Sequence, residues 1–223
     1  MSVRTLGRFL IVLTLSGALF GLAAAHPGPA AARPAEDKAA AFVFQGINAA
    51  IDILRAKAPS RAQKLQSLRQ VLVTYFDHDT IGRFALGSYR RQGTESQLQR
   101  YLTVLEDYIL QTYGNRLLIH AHKIRDDLKA ADIIRVVGTT PIGDTDLVVN
   151  TEINRKGGDL FRIDWQVRQK GNRLAVVDVR IAGISQALTY RQEFAAVIEQ
   201  RGRGIDGLID ALTEKLASLK AEN

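Results

Sequence analysis

A few short groups of residues have types and spacings that could do chemistry. Gly183-Ile184-Ser185-Gln186-Ala187 resembles the G-x-S-x-G elbow that presents a serine nucleophile, with alanine in the last place. Such a serine needs a histidine base, and in hydrolases of that kind the histidine follows the serine. The last histidine here is His122. Other triad orders would leave His78, His120 or His122, but no motif surrounds them, so Ser185 reads better as the N-cap of a following helix. Gly202-Arg203-Gly204-Ile205-Asp206-Gly207 matches G-x-G-x-x-G by letter. A dinucleotide site needs a strand before it to aim the backbone amides at the pyrophosphate, and here helical periodicity precedes it. It reads as a helix–helix turn. His120-x-His122, on one face of an expected strand, and Asp77-His78-Asp79 are the candidates for metal ligation. Two histidines can begin a zinc site, but no third ligand stands at a useful spacing, and Asp77 or Asp79 suits a helix cap. Cysteine is absent, which removes thiol nucleophiles, disulfides and iron–sulfur centres. No catalytic set, cofactor or metal is expected.

The chain around these motifs has 223 residues, 46% hydrophobic and 24% charged, the composition of a globular protein with a sizeable core. Lys and Arg number 30 against 23 Asp and Glu, a formal charge of +7. The basic residues are scattered and not interleaved with aromatic ones, so nucleic acid is not an expected partner. Residues 1–25 read as a signal peptide, with Arg4 and Arg8, an apolar run from Phe9 to Leu22, and Ala23-Ala24-Ala25. That run is too short and too Gly-interrupted for a good transmembrane span. Cleavage fits after Ala25 or after Ala32, and the product is exported. Residues 26–38 carry three of the five prolines and read as a flexible leader. Residues 39–223 then form a single α+β domain.

Within that domain, Phe42, Phe44, Ile47, Ile51 and Leu54 suit one amphipathic helix, and Leu65, Leu68, Leu72, Tyr75 and Phe76 a second. Ile81, Phe84 and Ala85 mark a short third, closed by Gly87. A fourth starts at Thr94 with Gln97 completing a capping box, carries Leu98, Tyr101, Leu102, Leu105, Tyr108 and Ile109, and ends at Gly114-Asn115. The period then changes to two. Strands are expected at 133–137, 147–153, 160–167 and 174–181, with another near 118–124, and hairpin turns at Gly157-Gly158 and Lys170-Gly171-Asn172. Helices return at 187–200 and 205–219. Helices, then a meander of strands, then helices implies α+β, with helices packed on one face of an antiparallel sheet.

Strand parity separates the two sheet faces. Leu147, Val149, Ile153, Phe161, Ile163, Trp165, Val167, Val177, Val179 and Ile181 are odd-numbered, whereas Asp146, Glu152, Asp164 and Asp178 are even-numbered. Side chains alternate along a strand, so one face is apolar and free of acid. On parity alone that face is a helix-covered core.

The motifs also carry a resemblance. Tyr75-Phe76-Asp77, Ile81-Gly82-Arg83-Phe84-Ala85-Leu86-Gly87 and Tyr89-Arg90 resemble the F-D…R-x-x-L-G-x-x-W block of the MlaC, or toluene-tolerance, family. So do Phe161-Arg162-Ile163-Asp164-Trp165, Val177-Asp178-Val179, Gly183-Ile184-Ser185, Thr189, Arg191, Glu193-Phe194 and Gly204-Ile205-Asp206-Gly207-Leu208. Tyr89 stands where the family often has Trp, and a hopanoid-associated branch shares the same blocks. The resemblance implies an NTF2-like or cystatin-like curved sheet wrapped by helices. It implies a periplasmic phospholipid carrier, with phospholipid as cargo and no cofactor. It implies as partners an inner-membrane ABC transporter with an MCE-domain subunit and an outer-membrane lipoprotein–porin complex. In that setting the acyl chains are expected between Tyr101, Leu105, Tyr108 and Ile109 of the fourth helix and Val149, Ile163, Trp165, Val167 and Val179 of the odd-numbered sheet face. The alternative is an enzyme of the isomerase or dehydratase sort on a similar scaffold. It would need an acid or a histidine, His120 or His122 being the best placed, turned into the pocket.

Overall fold

The structure is a computed structural model that describes residues 32–121, 130–154 and 160–221. The expected signal segment, 1–25, lies outside them, as do His122 and the Gly157-Gly158 turn. Among the described residues no helix is long and apolar enough to cross a membrane.

Helices α1 (Ala32–Arg55), α2 (Arg61–Tyr75), α3 (His78–Ala85) and α4 (Glu95–Ile109) come first, and a π-helical turn (Leu110–Gly114) joins α4 to α5 (Asn115–His120). After α6 (Ala130–Ile133) the strands β1 (Ile134–Ile142), β2 (Asp146–Asn154), β3 (Leu160–Lys170), β4 (Arg173–Ile181) and β5 (Ile184–Ser185) form an antiparallel meander in that order. Helices α7 (Gln186–Arg201) and α8 (Gly204–Ala221) close the chain. This is the α+β class read from the period changes.

Local chemistry explains most boundaries. Thr94 and Gln97 cap α4 reciprocally, and Ser60 with Gln63 does the same for α2. The Asp77 carboxylate accepts the Thr80 amide at 3.0 Å and so starts α3. Gly202 takes the left-handed conformation that ends α7, which makes the glycine-rich motif the turn between α7 and α8.

Three boundaries differ from the sequence reading. The helix through Tyr108 does not stop at Gly114-Asn115. A Cβ on Gly114 would come within 2.9 Å of Leu65 Cδ2, so this glycine serves the close approach of α2, and the π turn carries the helix on into α5. The strand expected near 118–124 is therefore helical as far as it is described, and His120 lies exposed at the end of α5. The stretch 26–38, read from its prolines as a leader, is helical from Ala32 on. Pro34 falls in the first turn, where its missing amide breaks no intrahelical bond. There Glu36 accepts a hydrogen bond from the Thr139 hydroxyl at 2.8 Å and Ala39 is fully buried.

Parity also slips once. Gln166 faces Asp178, but Val167 faces Val176, so Val177 is the extra residue of a β-bulge. Beyond it the apolar face of β4 passes to Val176 and Leu174, which join Val149 and Val167 in one cluster. The odd-numbered rule holds for Val179 and fails for Val177.

Candidate functional site

Two apolar cores flank the region where acyl chains were expected. The helical core gathers Tyr101 and Leu105 of α4 with Tyr190, Phe194 and Ile198 of α7 and Leu208 and Leu212 of α8. Tyr101 is 0% exposed, packs edge-on against Phe194, and donates its hydroxyl to the Gly82 carbonyl at 3.1 Å. The second core lies on the sheet. Ala39 and Val43 of α1 close over Val149, Val167 and Val176, with Phe42, Ile47, Phe76 and Trp165 around them. A polar residue sits inside this apolar face, Thr151, and it is fully satisfied. It accepts from the Trp165 indole at 3.0 Å and donates to the Ile163 carbonyl at 2.7 Å.

The expected lining residues thus divide by environment. Tyr101 and Leu105 are sealed in the helical core, and Val149 and Val167 in the sheet core. Tyr108, Ile109, Ile163, Trp165 and Val179 are only half-buried, although they belong to the helix stripe and the sheet face that carry those cores. Of this half-buried row, Tyr108 and Ile109 pack against the helical core, and Trp165 and Val179 against the sheet core.

Sequence reading missed several neighbours of that row. Phe76, one residue beyond α2, pairs as an isolated bridge with Val176 and stands 6.5 Å, edge-on, from the Trp165 ring. Tyr113, on the π turn, donates to Gln186 Oε1 and accepts from the Tyr190 hydroxyl, each at 3.1 Å. Burial pushes the Tyr190 phenol far above its usual range, and it also raises Tyr108, with the Glu193 charge adding to the effect. The Tyr108 and Tyr190 hydroxyls are therefore neutral near neutral pH. The π turn that carries Tyr113 has no periodic signature, so spacing could not have revealed it.

Ser185 and Asp77 are occupied as helix caps. Ser185 Oγ accepts the Leu188 amide at 3.0 Å, which is the N-cap of α7. His78 is held below the usual histidine range by burial, against the opposing pull of the Glu106 and Asp77 charges, and its Nε2 has no hydrogen-bond partner. Among the described residues no three His, Asp or Glu side chains come together as a metal site. Ser185→Ala is expected to lower stability by about 0.5–2 kcal/mol. The Asp178 carboxylate still receives the Ala187 amide at 3.0 Å, so the helix start persists in part. Urea titration checks the loss, and an esterase activity that disappeared in this variant would return Ser185 to a catalytic role.

The acids lie on the opposite sheet face, as parity required, and arginines cover them. Arg168 grips both oxygens of Asp146 at 2.7 and 2.9 Å, Arg162 binds Asp164 at 2.8 Å, and Arg135 binds Glu152 at 3.0 Å. The Arg168 hydrogen bonds hold the Asp146 carboxyl below the usual carboxylate range, against the effect of burial. Its contribution to stability is full above that range and is lost as pH falls through the lowered value.

Comparison with known proteins agrees with this architecture. A curated relative, the toluene tolerance protein Ttg2D of Pseudomonas putida, is 24% identical over 157 residues, which are 69% of this chain and 68% of that protein. A solved structure, the phospholipid-binding protein of Ralstonia solanacearum in complex with a phospholipid, superposes with a TM-score of 0.68 at 26% identity. The match covers 82% of this chain and 98% of that one. The family model described as MlaC protein matches residues 45–214, a span that holds the helical core and all of the sheet core except its first residues in α1, Ala39, Phe42 and Val43 among them. The chain belongs to the MlaC family.

Proposed function

We propose that this protein is a periplasmic phospholipid carrier, the soluble component of a lipid-transport system driven by an ABC transporter. The observation that carries the proposal is the half-buried, uncharged row of Tyr108, Ile109, Ile163, Trp165 and Val179 lying beside two sealed cores. The Ralstonia protein, alike in fold, holds a phospholipid, and that supports a lipid in the same place here. The acyl chains would lie along this row, and the sealed residues Tyr101, Leu105, Val149 and Val167 would form the walls behind it. The inner-membrane MCE-domain transporter and the outer-membrane lipoprotein–porin complex are the partners that this role requires.

The energetics suit shielding better than release. About 30 buried methylenes at about 0.8 kcal/mol each are worth on the order of 24 kcal/mol gross against water, so lipid would hardly ever escape into solvent. A bilayer offers the chains nearly the same environment. Exchange between membrane and pocket is then close to neutral, and direction has to come from the partners.

Native mass spectrometry of protein purified from the envelope, followed by organic extraction, tests the reading. The expected result is a stoichiometric diacyl phospholipid of mixed headgroup. An empty protein would end the carrier reading, and a hopanoid in the extract would transfer it to the other branch of the family.

A further inference from the structure

On the far side of β4 from the sheet core there is a groove of about 500 Å³, walled by Phe84 of α3, Gln166, Asp178 and Arg180 of the sheet, and Ile184, Leu188 and Gln192 around the start of α7. Its apolar members are unusually open to solvent. Ile184 is 63% exposed, Leu188 46% and Phe84 40%. Large apolar side chains gathered around one concavity mark a contact surface more often than a solvated one. The backbone holds one of them out at some cost. The two-residue turn between β4 and β5 has Ala182 at φ 50° and Gly183 at φ 83°. Two positive φ values suit the twist of a tight hairpin, but alanine is strained there, and the turn sets Ile184 at its exit.

The charge around this groove is unbalanced. Elsewhere arginines find carboxylates, as Arg162, Arg168, Arg201 and Arg203 do. Arg180 has only long contacts, 3.4 Å to Gln166 and 3.8 Å to Asp178, and Asp178 is already engaged by the Ala187 amide of α7. Arg191 lies over the Phe84 ring at 5.3 Å, in space that a Cβ on Gly87 would crowd at 3.1 Å from its Nε. No ion pair is formed by Arg191, nor by Arg90 and Arg91 on the turn after Gly87, among the described residues. An apolar concavity edged by Arg180, held only by these long contacts, and by Arg191 complements a segment that presents apolar side chains between carboxylates.

We propose that this groove docks an acidic, apolar-tipped segment of a partner protein. Ile184, Leu188 and Phe84 receive the apolar side chains, and Arg180 and Arg191 take the carboxylates. A bilayer surface has the same charge and apolarity, but it is flat and would meet only the Ile184 tip, not the floor between Phe84 and Leu188. The inference is independent of the lipid reading, because none of these residues belongs to the half-buried row.

The chain lacks cysteine, so Gln192→Cys gives a single site for an environment-sensitive dye inside the groove. The probe is a short synthetic peptide in which glutamate and aspartate flank leucine and phenylalanine. Two controls replace its acids by amides or its apolar residues by serine. Saturable binding with a blue shift of the dye is expected, weakening as salt rises. Both control peptides, and the Arg180→Gln and Ile184→Ser variants, are expected to bind about tenfold more weakly, with thermal stability and bound lipid unchanged in the exposed Ile184→Ser variant. Equal binding by Ile184→Ser, or no saturable binding by the parent, overturns the proposal. So does Ile184-dependent sedimentation with phosphatidylglycerol–phosphatidylcholine vesicles when the peptide does not compete; that result assigns the patch to membranes.

Discussion

Tyr101→Ala is expected to lower the stability of the protein by about 3–5 kcal/mol, the usual loss when a buried ring is truncated and its site cannot collapse. The site is well confined. Tyr101 is fully buried, its ring meets Phe194 at 90° with centroids 6.2 Å apart, and its neighbours come from α3, α4, α7 and α8 together. Tyr101→Phe separates the hydroxyl from the ring. The Gly82 carbonyl that receives the hydroxyl also accepts the Leu86 amide at 3.1 Å, so it is not orphaned and the loss should be about 1 kcal/mol. Urea unfolding of the delipidated protein measures both. A Tyr101→Ala loss no larger than that of Tyr101→Phe would mean that the helical core is loosely packed, and the division between sealed walls and open row would then fail.

Legibility in the sequence followed the reach of the forces involved. Thr94–Gln97 and Ser185 could be read because a cap is settled within three residues. The separation of acids from the apolar sheet face could be read because pleating fixes side-chain direction residue by residue. Val177 could not, since a bulge is decided by what the neighbouring strand requires, and the valine is equally at home on either side of the register shift. Gly114 misled for a related reason. Near a helix end glycine usually supplies left-handed backbone, but here it makes room for Leu65 of α2, a contact that spans 49 residues of sequence (114 − 65). The candidate site was half legible. The helix stripe and the apolar sheet face can be read from spacing, but the split of the sheet face into sealed and half-buried members depends on how α1 and Phe76 cover it, which spacing does not carry.

That split makes added volume the decisive probe of where the lipid lies. Leu105 is in the sealed helical core, and its Cδ2 would already be 3.2 Å from a Cβ placed on Gly82. Leu105→Trp therefore has no space to enter and is expected to cost about 1–3 kcal/mol or more by overpacking, with or without lipid. Val179 belongs to the half-buried row next to Trp165, its register partner across β3 and β4. If acyl chains run along that row, the indole of Val179→Trp takes the space of several methylenes, and each displaced methylene removes about 0.8 kcal/mol of chain burial. The delipidated variant should then unfold near the parent's midpoint, while the lipid retained through purification falls severalfold. Bound lipid by mass spectrometry and thermal unfolding after extraction give the two readouts. Should Val179→Trp be as destabilised as Leu105→Trp while keeping its lipid, the row is ordinary core and the chains must lie elsewhere.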